Sequence, residues 1–171
     1  WRVIGSQVVF SVLNRNLYSP KTMRNLDQWD GYPAERQKII QHLIANNINN
    51  NIFIAGDTHV SYAMDAVNDS LLNNGYAENG NSVGVELVTP SISSGNQDED
   101  NPIDSVIKWE KATLGVNPHV KFADLKNHGF VLLEITEQKA TASWYFVETI
   151  DTISDKMHLA KQLEIPDKSS F

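Results

Sequence analysis

Asp57 and His59 stand two residues apart at the end of Ile52-Phe53-Ile54-Ala55-Gly56-Asp57-Thr58-His59, where a short apolar strand pattern breaks at a glycine. A carboxylate and an imidazole are both metal donors. If the chain stays extended past Gly56, the period of two puts them on one face, just beyond the strand end. Sites in parallel and mixed sheets gather at the carboxyl ends of strands, and a glycine at the break permits a sharp turn or a close approach to a ligand. The same residues also read as a turn capped by Asp57 beside a solvated histidine, because matches this short are common. The 171 residues include no cysteine, so a metal here must use oxygen and imidazole donors.

Arg36 is the next residue with chemical potential. Counting back from Ile39, Ile40 and Leu43 places it on the apolar stripe of a helix, where a guanidinium needs an anionic partner. That partner is either a substrate phosphate, which suits a planar bidentate donor, or an internal carboxylate, Asp27 or Asp30; their nearness in sequence favours the internal pair. Trp29 and Tyr32 either line a pocket mouth or anchor the helix start by packing. His42 falls on the polar side of the helix, His158 in a polar tail, and His119 and His128 have no evident ligand role. Ser91, Ser93 and Ser94 offer hydroxyls in a rim loop without a His and Asp pairing that would make a nucleophile. If the Asp57 and His59 pair needed further donors within the chain, Asp65, Glu86, His119 and His128 are the candidates.

The elements that must position these residues follow from periodicity and punctuation. An apolar strand pattern covers residues 2–12, interrupted at Gly5-Ser6, and a polar loop covers 14–28. Pro33 at a first helical position, a first-turn Glu35 and the stripe Ile39, Ile40, Leu43, Ile44 predict a helix over 33–45. After an asparagine-rich turn, strands are expected at 52–55, 60–67 and 83–89, with a turn-rich stretch at 73–81. The composition of 91–100 is that of a mobile loop. A second helix spans 103–114 with Ile103, Val106, Ile107 and Leu114 on one side, and strands 130–136 and 141–148 form a hairpin across 137–140. The sum is one sheet-centred α/β domain over 1–171.

Composition narrows the function classes. A hydrophobic share of 41% is enough for a core. The net charge of −7 and pI near 5.1, without a clustered Lys and Arg stripe, argue against a nucleic-acid-binding surface. No apolar run approaches the roughly 20 residues of a transmembrane segment, and no signal segment is recognisable. The start at Trp1, already in a strand pattern, reads as the middle of a longer polypeptide.

Three segments in order resemble the carboxy-terminal part of the alkaline phosphatase D (PhoD-like) metallophosphatases and phosphodiesterases. Trp1, Gly5 and Gln7 match a Trp-x-x-x-Gly-x-Gln strand, followed by Asp27-Gln28-Trp29-Asp30-Gly31-Tyr32-Pro33-Ala34-Glu35-Arg36. Gly56-Asp57-Thr58-His59-Val60-Ser61 is the second. Val85 to Ser93 is the third, trailed by Asn117-Pro118-His119 and His128-Gly129-Phe130. The resemblance implies the carboxy-terminal half of a calcineurin-like metallophosphoesterase sandwich, two packed mixed β-sheets flanked by helices. It implies hydrolysis of small-molecule phosphate mono- or diesters at a metal cluster of iron and calcium, other divalent metals also suiting such donors. Asp57 and His59 would be ligands, with Arg36, Trp29 and Tyr32 as substrate-side candidates. The family's aspartate-rich, Asp-x-x-Tyr and Asn-His-Asp motifs are absent, so the remaining ligands would come from an amino-terminal half of the same protein. The resemblance also implies a secreted or periplasmic setting. The rival reading is an inactive fragment or degenerate homologue serving as a binding or structural module.

Overall fold

The computed structural model describes residues 1–16, 24–67 and 82–168. The turn-rich stretch expected at 73–81 and residues 17–23 of the expected polar loop lie outside them. Five strands form one sheet: β1 (Arg2–Gly5), β2 (Asn51–Ala55), β3 (Ser61–Val67), β4 (Ser82–Val88) and β5 (Val120–Asp124), in the order β1-β2-β4-β3-β5. β1, β2 and β4 run parallel, while β3 is antiparallel to both β4 and β5. Three antiparallel strands, β6 (Gly129–Ile135), β7 (Lys139–Val147) and β8 (Met157–Pro166), form the second sheet. The larger sheet is therefore mixed and the smaller one antiparallel throughout.

The two sheets pack face to face. Ile52, Ala63, Val85 and Leu87 of the larger meet Ala140, Ala142, Trp144, Phe146 and Ile165 of the smaller. Trp144 also donates its indole N–H to the Val88 carbonyl at 3.3 Å. The opposite face of the larger sheet is covered by α1 (Pro33–Ala45), through Ile40 and Leu43, and by α3 (Ile103–Val116), through Val106 and Trp109. A single helical turn, α2 (Gln97–Asp100), precedes α3. β3 is thus buried on both faces along its whole length. That is why its sequence shows a continuous apolar run rather than an alternation.

Several expectations hold to within a residue or two: α1, β2, β3, β4 and the β6–β7 hairpin. Pro33 opens α1, although Glu35 pairs with Lys38 at 2.5 Å instead of reaching back to the free amides. Others are corrected. The buried side of α3 is Val106 and Thr113, whereas Ile103 and Leu114 are exposed. β5 is an added strand: only its end residues Val120 and Asp124 are buried, so it carries neither an alternation nor a continuous apolar run. His158 lies in β8, opposite Phe146, and not in a polar tail; β8 is an edge strand that is mostly exposed, so its sequence reads as polar.

The largest departure is at residues 8–13. They are mostly buried, as a strand would be, yet the strand ends at Gly5. Side chains replace the missing ladder. Glu86 accepts the Phe10 and Ser11 amides, each at 2.7 Å, and Asp30 accepts that of Leu13 at 3.3 Å. Arg36 donates to the Phe10 carbonyl at 3.2 Å, and His119 Nε2 lies 2.8 Å from the Val12 carbonyl. Asn117 then clasps Asn14, accepting its amide at 2.8 Å and donating to its carbonyl at 2.9 Å. Buried backbone groups must be paired, and this segment is paired by a ring of buried polar side chains.

Candidate metal centre

Because β1, β2 and β4 are parallel, their carboxyl ends arrive at one edge. The Ser6 amide bonds to the Ile54 carbonyl at 2.9 Å and the Thr89 amide to the Ala55 carbonyl at 2.9 Å. This aligns three connections: Ser6-Gln7, Gly56 to His59, and Thr89 to Ser91. Such an edge is where α/β sheets place their sites.

The chain does not stay extended past Gly56. Asp57 and His59 both take left-handed backbone conformations, with φ of 68° and 64°. The Thr58 amide bonds back to the Gly56 carbonyl at 2.8 Å, so Asp57 is the centre of a three-residue turn of the rare, positive-φ kind. Non-glycine residues held there cost about 1–3 kcal/mol and persist only where the surroundings impose them. The expected mechanism of convergence is therefore corrected: a strained turn, not strand alternation, presents the two side chains, and both are exposed. Gly56 itself needs no positive φ, and a Cβ there would meet only the Thr89 methyl, at 3.9 Å. Neither sterics nor backbone conformation demands glycine, which leaves open space beside Asp57.

His59 is oriented by its backbone and its ring. Its carbonyl accepts the Ser91 amide at 3.1 Å, and its Nδ1 lies 2.9 Å from the Gly95 carbonyl. A carbonyl only accepts, so Nδ1 carries a proton, and in the neutral ring the lone pair then lies on Nε2. This is how ligating histidines are commonly held. The donor set thus fits a metal ion in chemistry, with one carboxylate and one imidazole lone pair at a shared edge. Among the described residues no group of three His, Cys, Asp or Glu side chains is placed to hold a metal.

The other candidates are distributed differently. Arg36 is buried, with Nη1 2.7 Å from Asp30 Oδ1, so the internal partner is Asp30 and not Asp27. Asp30 further binds Arg24 at 3.2 Å. Glu86 and His119 clasp residues 10–12, and Asp65 is wholly buried with Lys121 Nζ at 3.8 Å, so none of these three faces the edge as a reserve ligand. Trp29 packs edge-on against Phe10 and, with Val8, Gln28, Tyr32 and Glu35, lines a largely apolar pocket of about 270 Å³. Gln28 also lines a separate, smaller cavity together with Thr58 and Val60. Gly31 of the same segment is required for close approach, since a Cβ would come within 2.0 Å of the Leu26 carbonyl oxygen. His42 is exposed and contacts Asn46. The segment expected as a loop over 91–100 is irregular to Asn96 and then turns helical at Gln97. No local sequence signal marks Gly95 as the partner of His59.

Two packed β-sheets, the larger one mixed and covered by helices on its outer face, form an α/β sandwich consistent with a metallophosphoesterase-like fold. Over residues 1–144 the chain matches the PhoD-like phosphatase family, and it belongs to that family. It is 30% identical to alkaline phosphatase D of Bacillus subtilis (strain 168) across 145 residues, covering 84% of this chain and 23% of that protein. It is also similar to a solved structure described as that of PhoD, with a TM-score of 0.77 at 23% identity, over 98% of this chain and 30% of the other. The chain therefore spans less than a third of the length of the relatives it matches. No helix among the described residues is long and apolar enough to cross a membrane.

Proposed function

We propose that this chain is the carboxy-terminal part of a metal-dependent hydrolase of small-molecule phosphate mono- or diesters, and that Asp57 and His59 are its contribution to the metal site. The observation that carries this reading is the arrangement at His59: a strained turn beside Asp57, with Nδ1 committed to the Gly95 carbonyl and Nε2 left as a donor. Family membership supplies the reaction class. Bound metal ions hold phosphoryl oxygens and acidify a water; iron and calcium are the proposed ions, with other divalent metals suiting the same donors. Two ligands cannot hold such a cluster, since calcium alone takes six to eight oxygens, so the remaining donors come from an amino-terminal part of the same protein.

Within this chain Asp57 supplies charge and His59 supplies a neutral donor fixed in orientation. Trp29 and Tyr32 offer an uncharged surface for the alcohol portion of an ester, in a pocket that Gln28 and Glu35 also line. Arg36 stays with Asp30 and holds the scaffold. An extracytoplasmic setting follows the family resemblance.

The test uses the full-length protein carrying this segment. Asp57→Asn and His59→Ala should each lower bound metal and turnover together while thermal unfolding is unchanged, and the isolated chain should show no appreciable phosphatase or phosphodiesterase activity. Metal-dependent hydrolysis by the isolated chain that survives both substitutions would overturn the split site. Full-length protein with no hydrolytic activity and metal content indifferent to both changes would instead favour a binding or structural module.

A further inference from the structure

We infer that His128 is a positioning residue for His59 and acts through Ser91. The hydrogen-bond directions are forced. Ser91 Oγ lies 2.5 Å from the Ser94 carbonyl, which can only accept, so the hydroxyl proton points there. The same Oγ lies 3.1 Å from His128 Nδ1 and has no second proton to give, so it accepts and His128 Nδ1 carries the hydrogen. One residue past Ser94 is Gly95, whose carbonyl accepts from His59 Nδ1. The Ser91 to Gly95 turn therefore touches His59 at the ring and, through the Ser91 amide, at the backbone.

The other end of this relay is rigid. The Gly129 amide bonds to the Ser91 carbonyl at 2.9 Å, and the His128 carbonyl accepts the Val147 amide at 3.0 Å. Gly129 has φ of 156°, and a Cβ there would fall 1.9 Å from the Tyr145 carbonyl oxygen, so the backbone at 128–129 is pressed against β7. His128 thus extends from the second sheet as a fixed donor. It keeps the Ser91 hydroxyl aimed at Ser94, and that bond holds the Ser94-Gly95 peptide where its carbonyl meets His59. Without the donor the hydroxyl can rotate, and the carbonyl that selects the His59 tautomer loses its restraint. The usefulness of this device rests on the metal-ligand reading of His59; the tautomer itself does not.

The experiment is imidazole ¹⁵N NMR on the metal-free full-length protein carrying this segment, at a pH where both rings are neutral, followed by titration with Mn²⁺ alone. Wild-type His59 should be protonated at Nδ1. His128→Phe and Ser91→Ala should each convert it to a mixture of tautomers and weaken Mn²⁺ broadening at Asp57 and His59 about tenfold, the low end for lost outer-shell partners. His128→Asn, which places an amide N–H near the former Nδ1, should restore both. An unchanged His59 tautomer in His128→Phe, or an Asn variant no better than Phe, overturns the inference. If His128→Phe does not fold, Ser91→Ala decides by the same criterion. Mn²⁺ that leaves Asp57 and His59 untouched in the wild type counts against the metal reading alone, since the tautomer comparison is made without metal.

Discussion

Glu86 Oε1 accepts the backbone amide of Phe10 at 2.7 Å, joining the centre of the larger sheet to a segment 76 residues earlier. Its second oxygen takes the Ser11 amide at the same distance, so one buried side chain stands in for a missing strand partner. The fold depends on this carboxylate more than its distance from the metal edge suggests.

Glu86→Leu should therefore destabilise the chain by several kcal/mol, since each buried amide left unpaired costs about 1–3 kcal/mol. Burial raises the Glu86 carboxyl above its ordinary value of 4.5, opposed by the Phe10 and Ser11 amides and the Arg36 charge. A raised carboxyl means that the folded state holds the proton more tightly than the unfolded chain. Its contribution is greatest below about 4.5 and falls as pH rises through the folded value. Thermal unfolding across pH should show the wild type losing ground to Glu86→Gln in that window. A wild type that gains instead would show that the amide bonds outweigh burial.

Arg36→Ala should cost about 3–5 kcal/mol, because it strips the buried Asp30 of its closest cation and the Phe10 carbonyl of its donor. The loss should appear in the unfolding midpoint. An unchanged midpoint with reduced phosphate affinity in the full-length protein would return Arg36 to the substrate.

Asp57→Gly should raise stability by about 1 kcal/mol, since glycine adopts φ near 65° without steric cost, and His59→Gly by less, because it also loses the ring bond to Gly95. Both should abolish the metal contribution of that position. Denaturant unfolding set beside metal content checks the trade, and a glycine variant less stable than wild type would mean that the turn is not strained.

Lys126 sits among Glu110 at 2.7 Å and Asp124 at 3.2 Å. Burial lowers its pKa, but the hydrogen bond to Glu110 and the charges of Asp124 and Glu110 outweigh it and hold the ammonium above 10.5. The stabilisation is complete below about 10.5 and is lost as pH rises through the folded value. Lys126→Met should cost about 1 kcal/mol at pH 8, allowing for partial exposure, and should approach the wild type in strong alkali. A gap that persists there would point to lost packing of the lysine stem.

What the sequence determined by itself was whatever local chemistry decides. Pro33 and a 3.6-residue stripe specified α1; β-branched and apolar runs specified β2, β3 and β4; a strand broken at Gly56 marked Asp57 and His59; and an arginine on an apolar stripe required a nearby acid, found in Asp30. Tertiary structure decided everything that depends on distant partners. Residues 8–13 look like a strand because they are buried, but burial does not say whether another strand or the side chains of Glu86, Asp30, Arg36 and His119 satisfy the backbone. The left-handed turn at Asp57 breaks the local preference of its own residues and exists because the surrounding connections impose it. The same holds for the ring of His59: Ser91, Gly95 and His128 lie more than 30 positions away in the sequence, and only the folding of two sheets against each other brings those hydrogen-bonding groups within 3 Å or so of their partners.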